Sequence, residues 1–461
     1  MRQEDKRKDP CLVFVNPPSF RQTEVHDSPP YPNISIAYIA AVAREAGYPN
    51  CFNIDAKLER LTLREVVQRI LEYSPALVGF TGLTNDIEQV RRIAEALKGY
   101  SKDIITVVGG VHVSALPRQT LYEIPAVDFV VINEGELTFP RLLRAFFDKS
   151  EKISEVPNLC YRKNGGIVVT KKEDWIEDLD KLPFPAWDLF PPVQFYPFMA
   201  SRGCPFGCRF CNPMGKKVRE RSLENMLREV QQLIEKYNPK IISFFDETFG
   251  LDKEKTAALM DAFIKIDLAK KLKWYAALRV STTTVEVMSH MYEAGCRLVG
   301  FGIESGSQRI LGEKMVDINY ARTLVRHGIN LGMEVNNFFI LGHPDETAWE
   351  MLKTIRLAAK LNPTRPIFGI MVPYPGTEIY DLAKEGKSGY KLIARSWNDY
   401  NKHIGNALRF TKVGNLTVEF LRISAYLYFF IYNLRFRDLL IFIKDYCRTA
   451  FGVLKNIHRR I

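Results

Sequence analysis

Ser201-Arg202-Gly203-Cys204-Pro205-Phe206-Gly207-Cys208-Arg209-Phe210-Cys211-Asn212 places three thiols in eight residues, directly after a predicted strand. Three thiolates at this spacing can hold three irons of a [4Fe-4S] cubane and leave the fourth open to an external ligand. A structural zinc site is the alternative. Zinc needs four closed ligands, and the flanks offer neither a His nor a further Cys as the fourth. The five other cysteines, Cys11, Cys51, Cys160, Cys296 and Cys447, are thinly spread. That distribution reads as metal ligation in a reducing compartment, not as a disulfide framework.

Downstream of the thiols the chain alternates strands with helices. Strand candidates fall near Phe198 to Ser201, Ile241 to Phe245, Trp274 to Leu278, Leu298 to Gly302, Glu334 to Ile340 and Ile367 to Val372. Six strand-helix units predict a partial barrel over 195–390, with its active face at the strand C-termini. Upstream, residues 1–150 repeat the alternation, with strands expected at Cys11 to Val15, Asn50 to Ile54, Ala76 to Phe80, Ile104 to Val108 and Asp128 to Ile132. Helical periodicity covers Ile34 to Ala46, Leu63 to Tyr73 and Asn85 to Leu97. This is the pattern of a doubly wound, Rossmann-like α/β domain, which binds ligands beyond the carboxyl ends of its strands. Residues 151–194 read as a hairpin, turning at Gly165-Gly166, that leads into a proline-rich stretch from Leu182 to Pro197 read as the inter-domain linker.

The chain has 461 residues, 46% hydrophobic and 25% charged, which is ordinary for a globular protein of two or three domains. Its first ten residues are charged and lack the apolar core of a signal peptide, so a cytoplasmic location is expected. The longest apolar run, Ile423 to Leu434, is too short to span a bilayer. The net charge of +11 is concentrated in the basic, aromatic segment 391–461, which carries +9. That segment is expected to be a helical C-terminal tail. From Phe436 onward Leu439, Leu440, Ile443, Tyr446, Cys447, Ala450, Leu454 and Ile457 recur at helical spacing, among Arg435, Arg437, Lys444, Arg448, Lys455, Arg459 and Arg460. Such a helix either lies against an anionic membrane surface or packs on the barrel. No strand-rich RNA-binding pattern is visible there, and no nucleic-acid partner is expected.

The thiol motif and the strands after it resemble the radical S-adenosylmethionine (SAM) superfamily. Upstream, Pro32-Asn33-Ile34-Ser35-Ile36-Ala37-Tyr38, Arg44-Glu45-Ala46-Gly47, Val107-Val108-Gly109-Gly110-Val111-His112 and Asn133-Glu134-Gly135-Glu136 resemble its cobalamin-binding subgroup. That subgroup contains methyltransferases of unreactive carbons and the anaerobic magnesium-protoporphyrin cyclase. The resemblance covers about residues 11 to 390. It implies three cofactors: a [4Fe-4S] cluster on Cys204, Cys208 and Cys211, SAM, and cobalamin. Cobalamin would lie on the loops holding Thr81, Gly82, Thr84, Gly109, Gly110, His112, Glu134 and Gly135.

For SAM, the resemblance places Asp246 or Glu247 near the ammonium group, with an acidic cap for the following helix as the alternative role. Arg279 would meet the carboxylate or form a rim salt bridge. Glu304 would contact the ribose, and the strand ends at Gly342 and Tyr374 would approach the adenine. His343 stands beside Gly342, where a neutral, hydrogen-bonded role is at least as natural as a catalytic one. One departure concerns the cobalt: the Asp-x-His-x-x-Gly signature is absent, and its nearest analogue, Asp55-Ala56-Lys57-Leu58, has no histidine. Cobalt is therefore not expected to take a histidine from that loop, which leaves His112 as a lone candidate.

The leading functional expectation is radical methyl transfer: a 5′-deoxyadenosyl radical from SAM activates an unreactive carbon of an apolar or biosynthetic substrate, and cobalamin delivers the methyl group. Oxidative cyclisation or rearrangement of a tetrapyrrole-like or lipid substrate is the enzymatic alternative. A non-catalytic cobalamin or redox sensor is the third. Expected partners are a small-molecule or lipid-like substrate, an electron donor such as flavodoxin or ferredoxin, and a membrane surface at the tail.

Overall fold

The computed structural model describes residues 9–19, 29–314, 316–402 and 407–444. Two compact units are present, dividing after Val193, with Ser396–Asn398 grouping with the first.

In the first unit the β-branched runs form β1 (Leu12–Asn16), β2 (Cys51–Asp55), β3 (Leu77–Thr81), β4 (Ile105–Gly109) and β5 (Phe129–Val131). Between them run α1 (Ile34–Glu45), α2 (Leu63–Glu72), α3 (Ile87–Tyr100), α4 (Val111–Ala115) and α5 (Pro117–Glu123), and α6 (Gly135–Leu143) follows β5. The strand order is β2-β1-β3-β4-β5, parallel throughout, so the winding reverses between β1 and β3. Ligands of doubly wound sheets lie at that reversal. The expected hairpin forms as β6 (Leu159–Lys163) and β7 (Gly166–Val169). It continues the sheet, β6 pairing antiparallel with β5. The reason is the exposed edge of β5, whose backbone N–H and C=O groups need partners.

The second unit holds β8 (Phe195–Phe198), β9 (Ser201–Arg202), β10 (Arg219–Glu220), α7 (Leu223–Tyr237), β11 (Ile241–Phe244), α8 (Lys253–Lys265) and α9 (Leu268–Lys271). It continues with β12 (Lys273–Leu278), α10 (Val285–Glu293), β13 (Cys296–Glu304), α11 (Gln308–Lys314), α12 (Ile318–Leu331), β14 (Glu334–Leu341), α13 (Ala348–Leu361), β15 (Arg365–Ile370) and α14 (Glu378–Glu385). Six strands, β8-β11-β12-β13-β14-β15, lie parallel in chain order, as in a (β/α)6 partial TIM-type barrel. The first strand ends earlier than its sequence suggests. Ser201-Arg202 leave the sheet and pair antiparallel with Arg219-Glu220, so β9 and β10 clasp the base of the thiol loop.

Alternate side chains of this sheet face the helices. Trp274 packs against Phe244, Phe249 and Phe263, and donates from Nε1 to Ala294 O at 2.9 Å. Gly328 of α12 lies so close to β14 that a Cβ would fall 2.8 Å from Val335.

Residues after 386 are less of a free tail than their composition suggests. The pair β16 (Tyr390–Leu392) and β17 (Leu408–Phe410) covers the β14 end, and α15 (Asn415–Tyr432) buries Val418, Leu421, Ala425 and Phe429 against α13 and β15. Helix resumes at 436–444. Tyr446, Cys447, Arg448, Ala450, Leu454, Lys455, Ile457, Arg459 and Arg460 lie outside the described residues. No helix among the described residues is long and apolar enough to cross a membrane.

Candidate functional site

The thiol loop is held from both sides by carboxylates that follow β11. Asp246, buried, accepts from Ala200 N at 3.2 Å and from Ser201 Oγ at 2.5 Å, and so pins the clasp. Burial pushes its carboxyl up to about 6. Glu247 accepts from the backbone N–H of Gly203 with one oxygen and of Met214 with the other, stapling the two ends of the loop. Arg219, also buried, donates to Met214 O at 2.9 Å. Gly203 has φ +95°, and a Cβ there would fall 2.2 Å from Lys217 O, so only glycine closes this turn.

The sulfurs sit among groups that suit thiolates. Arg279 places Nη1 3.8 Å from Cys208 Sγ and lies 3.7 Å over the Phe206 ring, its Nε donating to Ser281 Oγ at 2.9 Å. Thr248 Oγ1 is 3.4 Å from Cys204 Sγ. A guanidinium and a hydroxyl at two of the three sulfurs match what a thiolate-held cluster requires. Among the described residues no three His, Cys, Asp or Glu side chains converge tightly enough to hold a single metal ion. The three cysteines lie on one loop, between β9 and β10.

The other strand-end residues surround the same end of the sheet. Glu304 ends β13 at a register shift against β14, with φ +68°, a strained setting for a buried acid. Gly342 has φ +87°, and a Cβ would fall 2.4 Å from the Phe410 ring. Its carbonyl accepts from Tyr390 Oη at 2.7 Å. The His343 ring meets the edge of Phe210, from the thiol loop, at 6.2 Å. At Tyr374, the carbonyl accepts from Thr377 Oγ1 at 2.6 Å, closing the turn after β15.

Sequence reasoning missed Glu346. Its Oε2 accepts from Gly342 N at 2.6 Å and from His343 N at 2.9 Å, so this one carboxylate shapes the loop after β14. Its Oε1 is buried without a hydrogen-bond partner, and burial pushes the carboxyl up to about 7. The available signal was an acid four residues after the strand-ending glycine, in Gly342-His343-Pro344-Asp345-Glu346.

In the first unit, Gly82 and Gly110 bring the loops after β3 and β4 into backbone contact. Gly82 N donates to Gly109 O at 2.9 Å, and a Cβ on Gly110 would fall 2.8 Å from Gly82 O. Nothing crowds Gly109, and Leu83 and Val111 expose apolar side chains beside it. An open glycine ledge rimmed by exposed apolar residues fits a flat macrocycle. Thr81 ends β3, at the winding reversal.

Several residues expected to face cobalamin also make contacts within the unit. Glu134 accepts from Ile176 N at 2.8 Å, and Gly135 lets α6 approach Ile39. Thr84 Oγ1 lies 3.3 Å from His112 Nδ1, and the His112 ring is covered edge-on by Trp397 at 4.5 Å. Burial holds that imidazole down at about 4, so it is neutral. Asp55 accepts from Asn16 Nδ2 at 2.7 Å, Asn33 N at 3.0 Å and Leu58 N at 3.2 Å, a structural knot at the end of β2. Trp397 was also missed: its Nε1 donates to Glu123 Oε2 at 2.7 Å, a pairing far too distant in sequence to foresee.

Comparison with known proteins fits both units. The B12 binding domain matches residues 28–143, and the Radical SAM superfamily matches residues 199–358. A protein of Pyrococcus horikoshii described as an uncharacterized methyltransferase is 33% identical, over 80% of this chain and 81% of its own. The chain belongs to the cobalamin-binding radical SAM family. An anaerobic magnesium-protoporphyrin IX monomethyl ester cyclase of Rubrivivax gelatinosus is 25% identical, over 85% of this chain and 72% of its own. The radical SAM methyltransferase TsrM of Kitasatospora setae, solved with cobalamin and a [4Fe-4S] cluster bound, shares the fold at TM-score 0.68 and 17% identity. That match covers 87% of this chain and 83% of TsrM. As a family member the chain uses a [4Fe-4S] cluster, SAM and cobalamin.

Proposed function

We propose that this family member is a C-methyltransferase for an apolar substrate. The supporting observation is the sheet face of the second unit that turns away from the helices. Tyr275, Leu298, Phe338 and Ile367 alternate there with the helix-facing residues, and Phe195 meets Tyr275 edge-on at 6.0 Å. Gly300, Gly302 and Gly369 lower its floor, and the Phe338 ring, 39% exposed, lies across Gly300. Asn336 is a polar exception, its Oδ1 buried without a hydrogen-bond partner. Ser243 shares the face, and Lys273, Glu334 and Arg365 lie on it at the strand starts. A mainly apolar, aromatic wall with few polar groups suits a largely hydrocarbon or aromatic substrate.

The bound cofactors supply the reductive cleavage of SAM and the methyl group. The chain's own part is to hold the cysteines through the Glu247 staple, to set positive charge at Cys208 through Arg279, and to shape the β14 loop through Glu346. Glu304, Gly342 and Tyr374 are assigned to SAM, and the glycine ledge of the first unit to cobalamin. Arg279 is assigned to the SAM carboxylate together with Cys208. Methyl transfer is favoured because the 33% identical relative is described as a methyltransferase, whereas the cyclase is more distant. Oxidative cyclisation is the second reading, supported by that cyclase likeness. Electrons would come from a flavodoxin or ferredoxin.

Anaerobically reconstituted protein, supplied with methyl-deuterated SAM and cell extract, tests this by mass spectrometry. Release of 5′-deoxyadenosine with a trideuteromethylated product is expected. 5′-Deoxyadenosine with a dehydrogenated, unmethylated product would replace methyl transfer by cyclisation, and neither product would remove the enzymatic reading.

A further inference from the structure

The described residues expose their large apolar side chains unevenly. Ten of the twenty such exposed side chains lie between Leu416 and Ile443. On α15 the inward stripe packs on the barrel, while the outward stripe carries Leu416 (88% exposed), Phe420 (68%), Tyr428, Ile431 and Tyr432. Helix 436–444 folds back so that Phe442 stacks on Tyr426 at 4.7 Å and meets Phe430 at 5.9 Å. Leu434, Phe436, Leu440, Ile441 and Ile443 then extend the exposed apolar surface. A patch of this size needs an occupant.

Charge identifies it. A cavity of about 510 Å³ adjoins the end of α15, lined by Arg322, Arg326 and Lys360 together with Tyr432 and Asn433, and by no carboxylate among the described residues. From residue 433 to 461 the sequence carries seven Lys and Arg against two Asp and Glu. A second copy of this chain would bring like charge to like charge, whereas an anionic lipid surface supplies both the hydrocarbon and the phosphates.

We propose that α15 and helix 436–444 dock the enzyme on an anionic phospholipid bilayer, the apolar stripe entering the interface and a headgroup phosphate occupying the Arg322–Arg326–Lys360 cavity. The surface is amphipathic in the sense of a monotopic contact, apolar in one direction and cationic at its margin. It extends well beyond the helix expected from Phe436, because α15 contributes an outward face that periodicity alone does not separate from its core face.

Flotation of the full-length, reconstituted protein with phosphatidylcholine–phosphatidylglycerol vesicles and with pure phosphatidylcholine vesicles tests this. Binding to the anionic vesicles, weakened by salt, is expected. Each of Arg322→Ala, Arg326→Ala and Lys360→Ala should weaken it roughly fivefold. Phe420→Ser with Ile431→Ser should weaken it by about tenfold or more. All are surface substitutions, and unchanged iron content and circular dichroism serve as the folding control. Three results would overturn the proposal: no binding to anionic vesicles, equal binding to both vesicle types with the cationic variants unchanged, or binding indifferent to the apolar pair. So would lipid-free self-association of the wild type that the apolar pair abolishes, which would assign the surface to a second copy.

Discussion

Glu346 offers a measurement whose size and sign follow from its surroundings. Its carboxyl, 3% exposed, is held at about 7 against 4.5 for an ordinary glutamate, chiefly by burial and opposed by hydrogen bonds from His343 N and Gly342 N. Glu350 on α13 raises it further and Arg309 on α11 lowers it, while Tyr390 faces it from β16. Between about 4.5 and 7 the folded chain therefore binds more protons at this site than the unfolded chain. Stability contributed by the site is greatest below that window, falls as pH rises through it, and levels off above. At about 1.4 kcal/mol per pKa unit, the ionised carboxylate costs on the order of 3 kcal/mol at pH 8. Glu346→Gln keeps a carbonyl oxygen for the two N–H groups and removes the charge. Part of the gain is lost because the new amide N–H₂ sits where Oε1 had no partner. We expect the variant to be about 2 kcal/mol more stable than wild type at pH 8 and no more stable at pH 5. Urea unfolding of both proteins across that range, followed by circular dichroism, measures the difference. A gap that stays constant with pH would refute the reasoning.

Single replacement of Cys204, Cys208 or Cys211 by Ala should abolish stoichiometric iron and sulfide in anaerobically reconstituted protein, while Cys11, Cys51, Cys160, Cys296 and Cys447 should be dispensable. A cluster surviving loss of all three thiols would end the assignment. Glu247→Ala removes the acceptor of two backbone hydrogen bonds, an effect of about 2–4 kcal/mol on loop closure. It should speed iron loss to a chelator without changing the core, and an unchanged rate would show that the staple is unimportant. His112→Ala should leave the absorption spectrum of bound corrinoid unaltered, because the ring is buried under Trp397; a shifted spectrum would restore His112 as a cobalt ligand.

Much of this protein is legible in its sequence because its elements are parallel. Buried parallel strands are continuous β-branched runs, and their helices carry 3.6-residue periodicity, so both alternations stand out. The thiol spacing is likewise local. The departures are long-range. Ser201 reads as a strand end but crosses to pair with Glu220. The Gly165-Gly166 hairpin is legible as a hairpin, but not its pairing with the edge of β5. Each choice was made by a partner the local pattern does not contain.

By itself the sequence determined the two α/β units, the cluster loop and the glycine-rich strand ends. These depend on residue type, local spacing and backbone freedom. Tertiary structure alone decided what the buried polar groups do. Asp246 and Glu247 hold the loop, Glu346 shapes the β14 end, Arg279 lies against Cys208, and Trp397 covers His112. The physical reason is that a buried charge or ring must be satisfied by whichever group the fold brings near it; for all of these but Glu346, whose partners are three and four residues away, those groups lie tens to hundreds of residues along the chain.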